Sequence, residues 1–136
     1  MSVQIACLYE GDLHCSAVHG PSRTTLSTDA PADNQGRAET FSPTDLVATA
    51  LGSCLLTIMG IYARPRNIRI EGTRATVEKV MTTTPPRRIA RLNVRLTLPA
   101  TLNDKARGGL EQAVRLCPVA ASLHPDVEVA VTFEYV

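Results

Sequence analysis

The chain has 136 residues, enough for about one domain with a real hydrophobic core. Its 14 Lys and Arg against 13 Asp and Glu leave a net charge of +1. That balance argues against a nucleic-acid surface or a polybasic membrane patch. Met1-Ser-Val-Gln-Ile5 carries no basic region leading into an apolar run, so no export leader is expected. Four cysteines without such a leader point to the reducing cytoplasm, where free or catalytic thiols outnumber structural disulfides.

In chain order, Val3 to Tyr9 alternates Val3, Ile5, Cys7 and Tyr9 on one face, as a half-buried strand does. Glu10-Gly-Asp12 marks a turn, His14 to His19 a return strand, and Arg23 to Thr28 a third short strand. Asp29 to Thr40 reads as a loop rich in Pro, Asp, Asn, Gln and Gly, long for a compact domain and of a kind that is often functional. Ser42, with Pro43 and Asp45 after it, predicts a capped helix start, Asp45 standing where a capping box usually has Glu.

That helix is expected to run to about Ala63, since Pro65 disfavours helical geometry at Arg64. Residues 46 to 63 carry no charge, long enough to consider a membrane span. Gly, Ser, Thr and Cys interrupt the run, however, and its start is built as a cap. A helix without charge on any face needs cover on all sides, which a small domain rarely supplies, so a partner subunit is expected. Strands follow at Ile68 to Met81, with a bulge near Glu71-Gly72 where the pattern shifts phase, and at Ile89 to Leu98. In the latter, Ala90, Leu92, Val94, Leu96 and Leu98 form the buried face; Arg91 and Arg95 fall on the wet one. Asn103 caps a second helix, which Gly108-Gly109 weakens and Pro118 ends. Val127 to Tyr135 is the last strand. The class is α+β, a mostly antiparallel sheet on two helices in a single domain spanning 1–136.

Two cysteines stand out. Cys54 has Val47, Ala50, Leu51, Thr57, Ile58 and Ile61 as helical neighbours, surroundings that raise a thiol pKa and leave it inert unless a cation is near. On these residues alone, packing is the plainer reading of Cys54. Cys117 precedes Pro118 and would cap a short helix from Pro118 to Leu123, where the positive dipole end lowers a thiol pKa. A packing role at a helix junction explains it equally well. Cys7 and Cys15 flank Gly11 symmetrically and are candidate cross-strand neighbours, more simply fillers than a redox pair. His14, His19 and His124 lack metal spacing, and no Gly-rich phosphate loop occurs, so neither metal nor cofactor is expected. Arg23 and Arg37 precede the Cys54 helix, and either is a candidate cation for a Cys54 thiolate.

Ser42-Pro-Thr-Asp-Leu46, Ala50-Leu-Gly-Ser-Cys54 and Cys117-Pro-Val119 together resemble the OsmC/Ohr superfamily (osmotically inducible protein C and organic hydroperoxide resistance proteins). The order of elements agrees over essentially the full length. The resemblance implies an intertwined homodimer with its long helices buried at the centre. It also implies a thiol peroxidase for organic hydroperoxides. Cys54 would become a sulfenic acid, Cys117 would resolve it as a disulfide, and a dithiol would reduce that bond. The family arginine would correspond to Arg37 or, as the alternative, Arg23.

One position departs from the pattern. The characterised peroxidases carry Glu directly after the helix-starting proline, where it orients the arginine; here the residue is Thr44. Asp45 lies about 100° further round the helix. The chain therefore resembles the less characterised branch of the superfamily, and a non-enzymatic, redox-responsive or ligand-binding dimer is the competing implication.

Overall fold

The computed structural model describes all 136 residues, in two compact units, Met1–Leu46 and Val47–Val136. The first unit holds an antiparallel sheet of β1 (Ile5–Gly11), β2 (His14–His19) and β3 (Thr25–Asp29), in that order. The β1–β2 turn centres on Asp12 and Leu13, both at positive φ, with a register shift between Tyr9 and Gly11. Cys7 therefore faces Ala17, and Cys15 faces Tyr9. The two cysteines are diagonal rather than opposed, about 7–8 Å apart by sheet geometry, beyond the reach of a disulfide without backbone movement.

The expected half-burial of β1 is not found. Ile5 and Leu8 are each 63% exposed and Tyr9 62%. After β3 a loop with one 3-10 turn at Ala32–Asn34 leads to the helix start, where the capping box is complete. Ser42 N donates to Asp45 Oδ2 at 2.8 Å, and Asp45 N donates to Ser42 Oγ at 3.1 Å.

The second unit is organised by α1 (Pro43–Ala63, whose first turn belongs to the preceding unit), β4 (Arg74–Met81), β5 (Ile89–Leu98), α2 (Asp104–Ala113), α3 (Pro118–Ser122) and β6 (Glu128–Tyr135). Its sheet order is β4-β5-β6, antiparallel in the first pair and parallel in the second. One parallel pair among three antiparallel ones agrees with the expected mostly antiparallel sheet. It arises because two helices, rather than a tight turn, connect β5 to β6. Leu92, Val94, Leu96 and Leu98 of β5 are buried against Leu51, Leu55 and Met59 of α1 and Leu110 of α2 in one core. Each such side chain contributes about 1.5–3 kcal/mol on removal from water. On the wet face Arg91 pairs with Glu128 at 3.0 Å, an exposed bridge across the parallel register worth about 0–1 kcal/mol.

Two local expectations change. No strand covers Ile68 to Thr73; Glu71-Gly72 is a turn with Gly72 at φ +88, not a bulge, and Thr73 N donates to Ile70 O at 3.0 Å. Ile68 and Ile70 still pack on the core, which accounts for their apolar character. The second helix ends at Ala113 and tightens into a 3-10 turn, Val114–Leu116, before Cys117. Asn103 caps it as expected, its Oδ1 accepting from Ala106 N at 2.9 Å. Gly109 is there for space: a Cβ on it would collide with the Tyr62 ring. At the far edge, Tyr135 donates to Glu111 Oε1 at 2.8 Å while Arg107 stacks 4.1 Å over its ring. Burial, followed by the Glu111 contact, pushes the Tyr135 phenol up to about 12.

The stretch Pro43–Arg66 is long and apolar enough, by length and composition, to cross a membrane. Its stripe of Ala48, Leu51, Leu55, Met59 and Ala63 is instead buried in the core beside the β5 leucines. The expectation of cover on every side is not met within the protomer, where Ile61 on another face remains 58% exposed.

Candidate active site

Cys54 sits at the middle of α1, one turn after Ala50 and one before Ile58, on a face next to the buried stripe. It is half-buried and packs at the margin of the core. Cys117 is only 1% exposed. Pro118 at the first helical position forces Cys117 into extended geometry, so it becomes the cap of α3 as the sequence predicts, and its Sγ accepts from Ala120 N at 3.5 Å.

The fold brings the two thiols close enough to influence each other's ionisation. Their elements are far apart in sequence; the core shared by α1, α2 and the sheet joins them. All four cysteines are free thiols.

The expectation that the cap lowers the Cys117 pKa is overturned. Burial raises it most, the Cys54 thiol raises it further, and the Ala120 and Val119 N–H groups only partly offset these effects. An α3 of five residues brings little dipole, and a 3.5 Å N–H···S contact is weak compensation for desolvation. Cys117 is thus held neutral, a poor first nucleophile that stands against its neighbour's sulfur.

A cleft of about 650 Å³ opens on the same helix, lined by Ile58, Ile61, Tyr62, Ala113, Arg115 and Leu116 among others. Ile58 and Ile61 follow Cys54 by about one and two turns, and neither Cys54 nor Cys117 lines the cleft itself. Its lining is mainly apolar, with Arg66 and Arg115 contributing charge.

The candidate arginines belong to the first unit. Arg23 is exposed in the β2–β3 turn at φ +62, its N–H donating to His19 O at 2.8 Å. Arg37 is exposed on the loop between β3 and α1, close enough to Asp29 for its charge to stabilise that carboxylate. Thr44 shares a 3.3 Å hydrogen bond with Ser42 Oγ. The Asp45 carboxylate accepts from Ser42 N, so the carboxylate nearest the departed glutamate position serves the cap.

Sequence reading passes over one pair entirely. Asp29, 2% exposed at the end of β3, faces His14 of β2 with Nδ1 and Oδ1 2.5 Å apart. In sequence Asp29 looks like the first polar residue of a loop, and only the β2–β3 register reveals its partner. No group of three or more His, Cys, Asp or Glu side chains is arranged to hold a metal.

Comparison with known proteins agrees with this architecture. The profile of the family described as OsmC-like protein matches residues 35–132. A Psychrobacter arcticus 273-4 structure, whose name reads osmotic stress induced and detoxification response protein, is 45% identical with a TM-score of 0.89, covering 98% of this chain and 96% of that one. An OsmC-like protein from Mycoplasma pneumoniae shares the fold at 16% identity and TM-score 0.83, covering 100% and 98%. So does the organic hydroperoxide resistance protein OhrB of Bacillus subtilis, at 15% identity and TM-score 0.70, covering 98% of each chain. No curated protein matches the chain. With a family profile over most of its length and a structural relative at 45% identity, the chain belongs to the OsmC-like family of the OsmC/Ohr superfamily.

Proposed function

We propose that this protein is a thiol peroxidase that reduces organic hydroperoxides. The proximity of the Cys54 and Cys117 thiols is the observation that carries the reading. In the first step the Cys54 thiolate attacks the outer peroxide oxygen. The O–O bond breaks, the alkoxide takes a proton to leave as an alcohol, and Cys54 becomes a sulfenic acid. Cys117 then attacks the Cys54 sulfur, water leaves, and a Cys54–Cys117 disulfide forms. A dithiol donor returns both thiols by exchange. Burial supports this assignment of roles: the half-buried thiol would meet peroxide, and the neutral buried one would wait beside it. Arg37, or Arg23 in its place, is the cation that would favour the Cys54 thiolate.

A mainly apolar cleft at Ile58 and Ile61, one to two turns along α1 from Cys54, suits an alkyl or lipid hydroperoxide better than hydrogen peroxide, because apolar burial drives binding. Names of family relatives, which include organic hydroperoxide resistance proteins, support the same substrate class. The working form would be a homodimer, in which each 136-residue chain acts as one functional domain. The uncovered β1 strand and the 76% exposed Leu116 are the surfaces that ask for a partner copy. Free thiols throughout fit a cytoplasmic setting.

Thr44 and the engaged Asp45 favour the competing reading, a dimer that oxidises without efficient turnover. Intact mass before and after one equivalent of cumene hydroperoxide, on wild type and on Cys54→Ser, begins the test. Loss of two hydrogens only in the wild type, followed by turnover with a dithiol, is the expected result. Oxidation without turnover would replace the enzyme with a sensor, and no mass change would remove both.

A further inference from the structure

Asp29 is the most deeply buried acidic side chain of the protein, and the capping and redox arguments leave it unused. Its two carboxylate oxygens point in different directions and tie different pieces of the first unit together. Oδ1 meets His14 Nδ1 of β2 at 2.5 Å, and Oδ2 accepts from the backbone N–H of Glu39 at 3.1 Å. Glu39 lies two residues after Arg37, on the loop that leads to α1. Backbone bonds close the same loop around this point: Asp29 N donates to Phe41 O at 3.1 Å, and Ala38 N to Ala30 O at 3.3 Å. Arg37 is thus held between two anchored positions, Ala38 and the turn at Pro31, to whose carbonyl Gly36 N donates at 2.9 Å.

We infer that Asp29 is a positioning residue for Arg37: its buried carboxylate fixes the Arg37 loop on the β2–β3 sheet so that the guanidinium is presented in one place. The inference rests on the peroxidase reading for its purpose, but the tie itself is independent of that reading. Three features set it apart from an ordinary loop contact. The carboxylate is ionic and shielded from solvent, so its N–H and imidazole hydrogen bonds are charge-assisted. It is anchored to regular structure on the sheet side, since His14 and Asp29 are register partners of β2 and β3. Its charge also attracts Arg37 directly. His14 is flanked in turn by Glu10 of β1, with Nε2 and Oε1 4.0 Å apart, so the tie reaches all three strands.

The experiment uses Asp29→Asn, which keeps the shape but removes the charge, in wild-type and Arg37→Ala backgrounds. Two readouts are followed. The first is trypsin cleavage of the native protein after Arg37, with cleavage after Arg23 as the internal reference in a turn that Asp29 does not touch. Asp29→Asn is expected to speed cleavage at Arg37 about tenfold and to leave Arg23 unchanged. The second is the second-order rate of Cys54 oxidation by cumene hydroperoxide. Misplacing a positioned cation is expected to lower it about tenfold, and the Asn substitution is expected to cost nothing further once Arg37 is Ala.

Unchanged cleavage at Arg37 would overturn the tie. An equal loss of rate in the Arg37→Ala background would overturn the positioning role, leaving Asp29 a purely structural residue. A wild type inert to peroxide would instead remove the proposed function, while the trypsin readout would still decide whether Asp29 holds the loop.

Discussion

Cys117 is 1% exposed and neighbours the Cys54 thiol, and both conditions favour its neutral form. A raised pKa means that little thiolate exists at neutral pH, and the fraction grows as pH rises towards the shifted value. The step from sulfenic acid to disulfide is therefore expected to speed up about tenfold per pH unit from pH 6 to beyond the usual thiol range. Trapping the sulfenic acid with dimedone at several pH values measures this; a flat profile would contradict it. Cys54→Ser is expected to abolish peroxide consumption. Cys117→Ser is expected to leave a single turnover and a long-lived sulfenic acid, detectable as a gain of one oxygen in mass. Equal and mild effects from both substitutions would reverse these assignments. Asp29 shows the opposite titration. His14, and then other partners, hold its carboxyl below the ordinary value, so the stability it lends is present above about pH 4 and is lost as pH falls through the lowered value. The β2–β3 amides, followed by hydrogen exchange, should lose protection there before the second unit does.

The helices separate two adjacent glycines that sequence treats alike. A methyl group at Gly108 meets nothing within 4 Å, whereas one at Gly109 strikes the Tyr62 ring of α1. Gly108→Ala is expected to stabilise by about 0.5–1 kcal/mol through helix propensity alone. Gly109→Ala is expected to destabilise by about 1–3 kcal/mol, because Tyr62 must leave the position in which it also stacks under Arg66. Chemical denaturation of the two variants measures the contrast, and the same sign for both would show that α1 and α2 do not meet at this point. The helix starts were legible because each depends on a few adjacent residues: Ser42-Pro-Thr-Asp45 and Asn103. The false extension of β4 back to Ile68 has an equally local cause. Ile68 and Ile70 are apolar because they pack on the core, and apolar spacing alone does not distinguish a packed turn from a strand.

At the scale of the whole molecule, the protomer leaves apolar surface that its own core does not absorb, on β1 of the first unit and around Ile61 and Leu116 of the second. Light scattering is expected to give a mass of twice the 14.6 kDa chain. Replacing Ile61 and Leu116 together by Asp is expected to shift that mass to one chain, since charges in an apolar interface are costly. A wild type that runs as a monomer would remove the dimer.

The sequence by itself determined most of the elements, their class and the helix caps, because capping residues, strand alternation and a Cys-Pro step act over a few neighbouring residues. Only the tertiary structure decided that Cys117 lies near Cys54 and is neutral rather than activated. Desolvation by a core built from α1, α2 and the sheet outweighs the cap's local N–H groups. Likewise, only strand register paired Asp29 with His14, since residues opposed across a sheet leave no mark on each other's sequence.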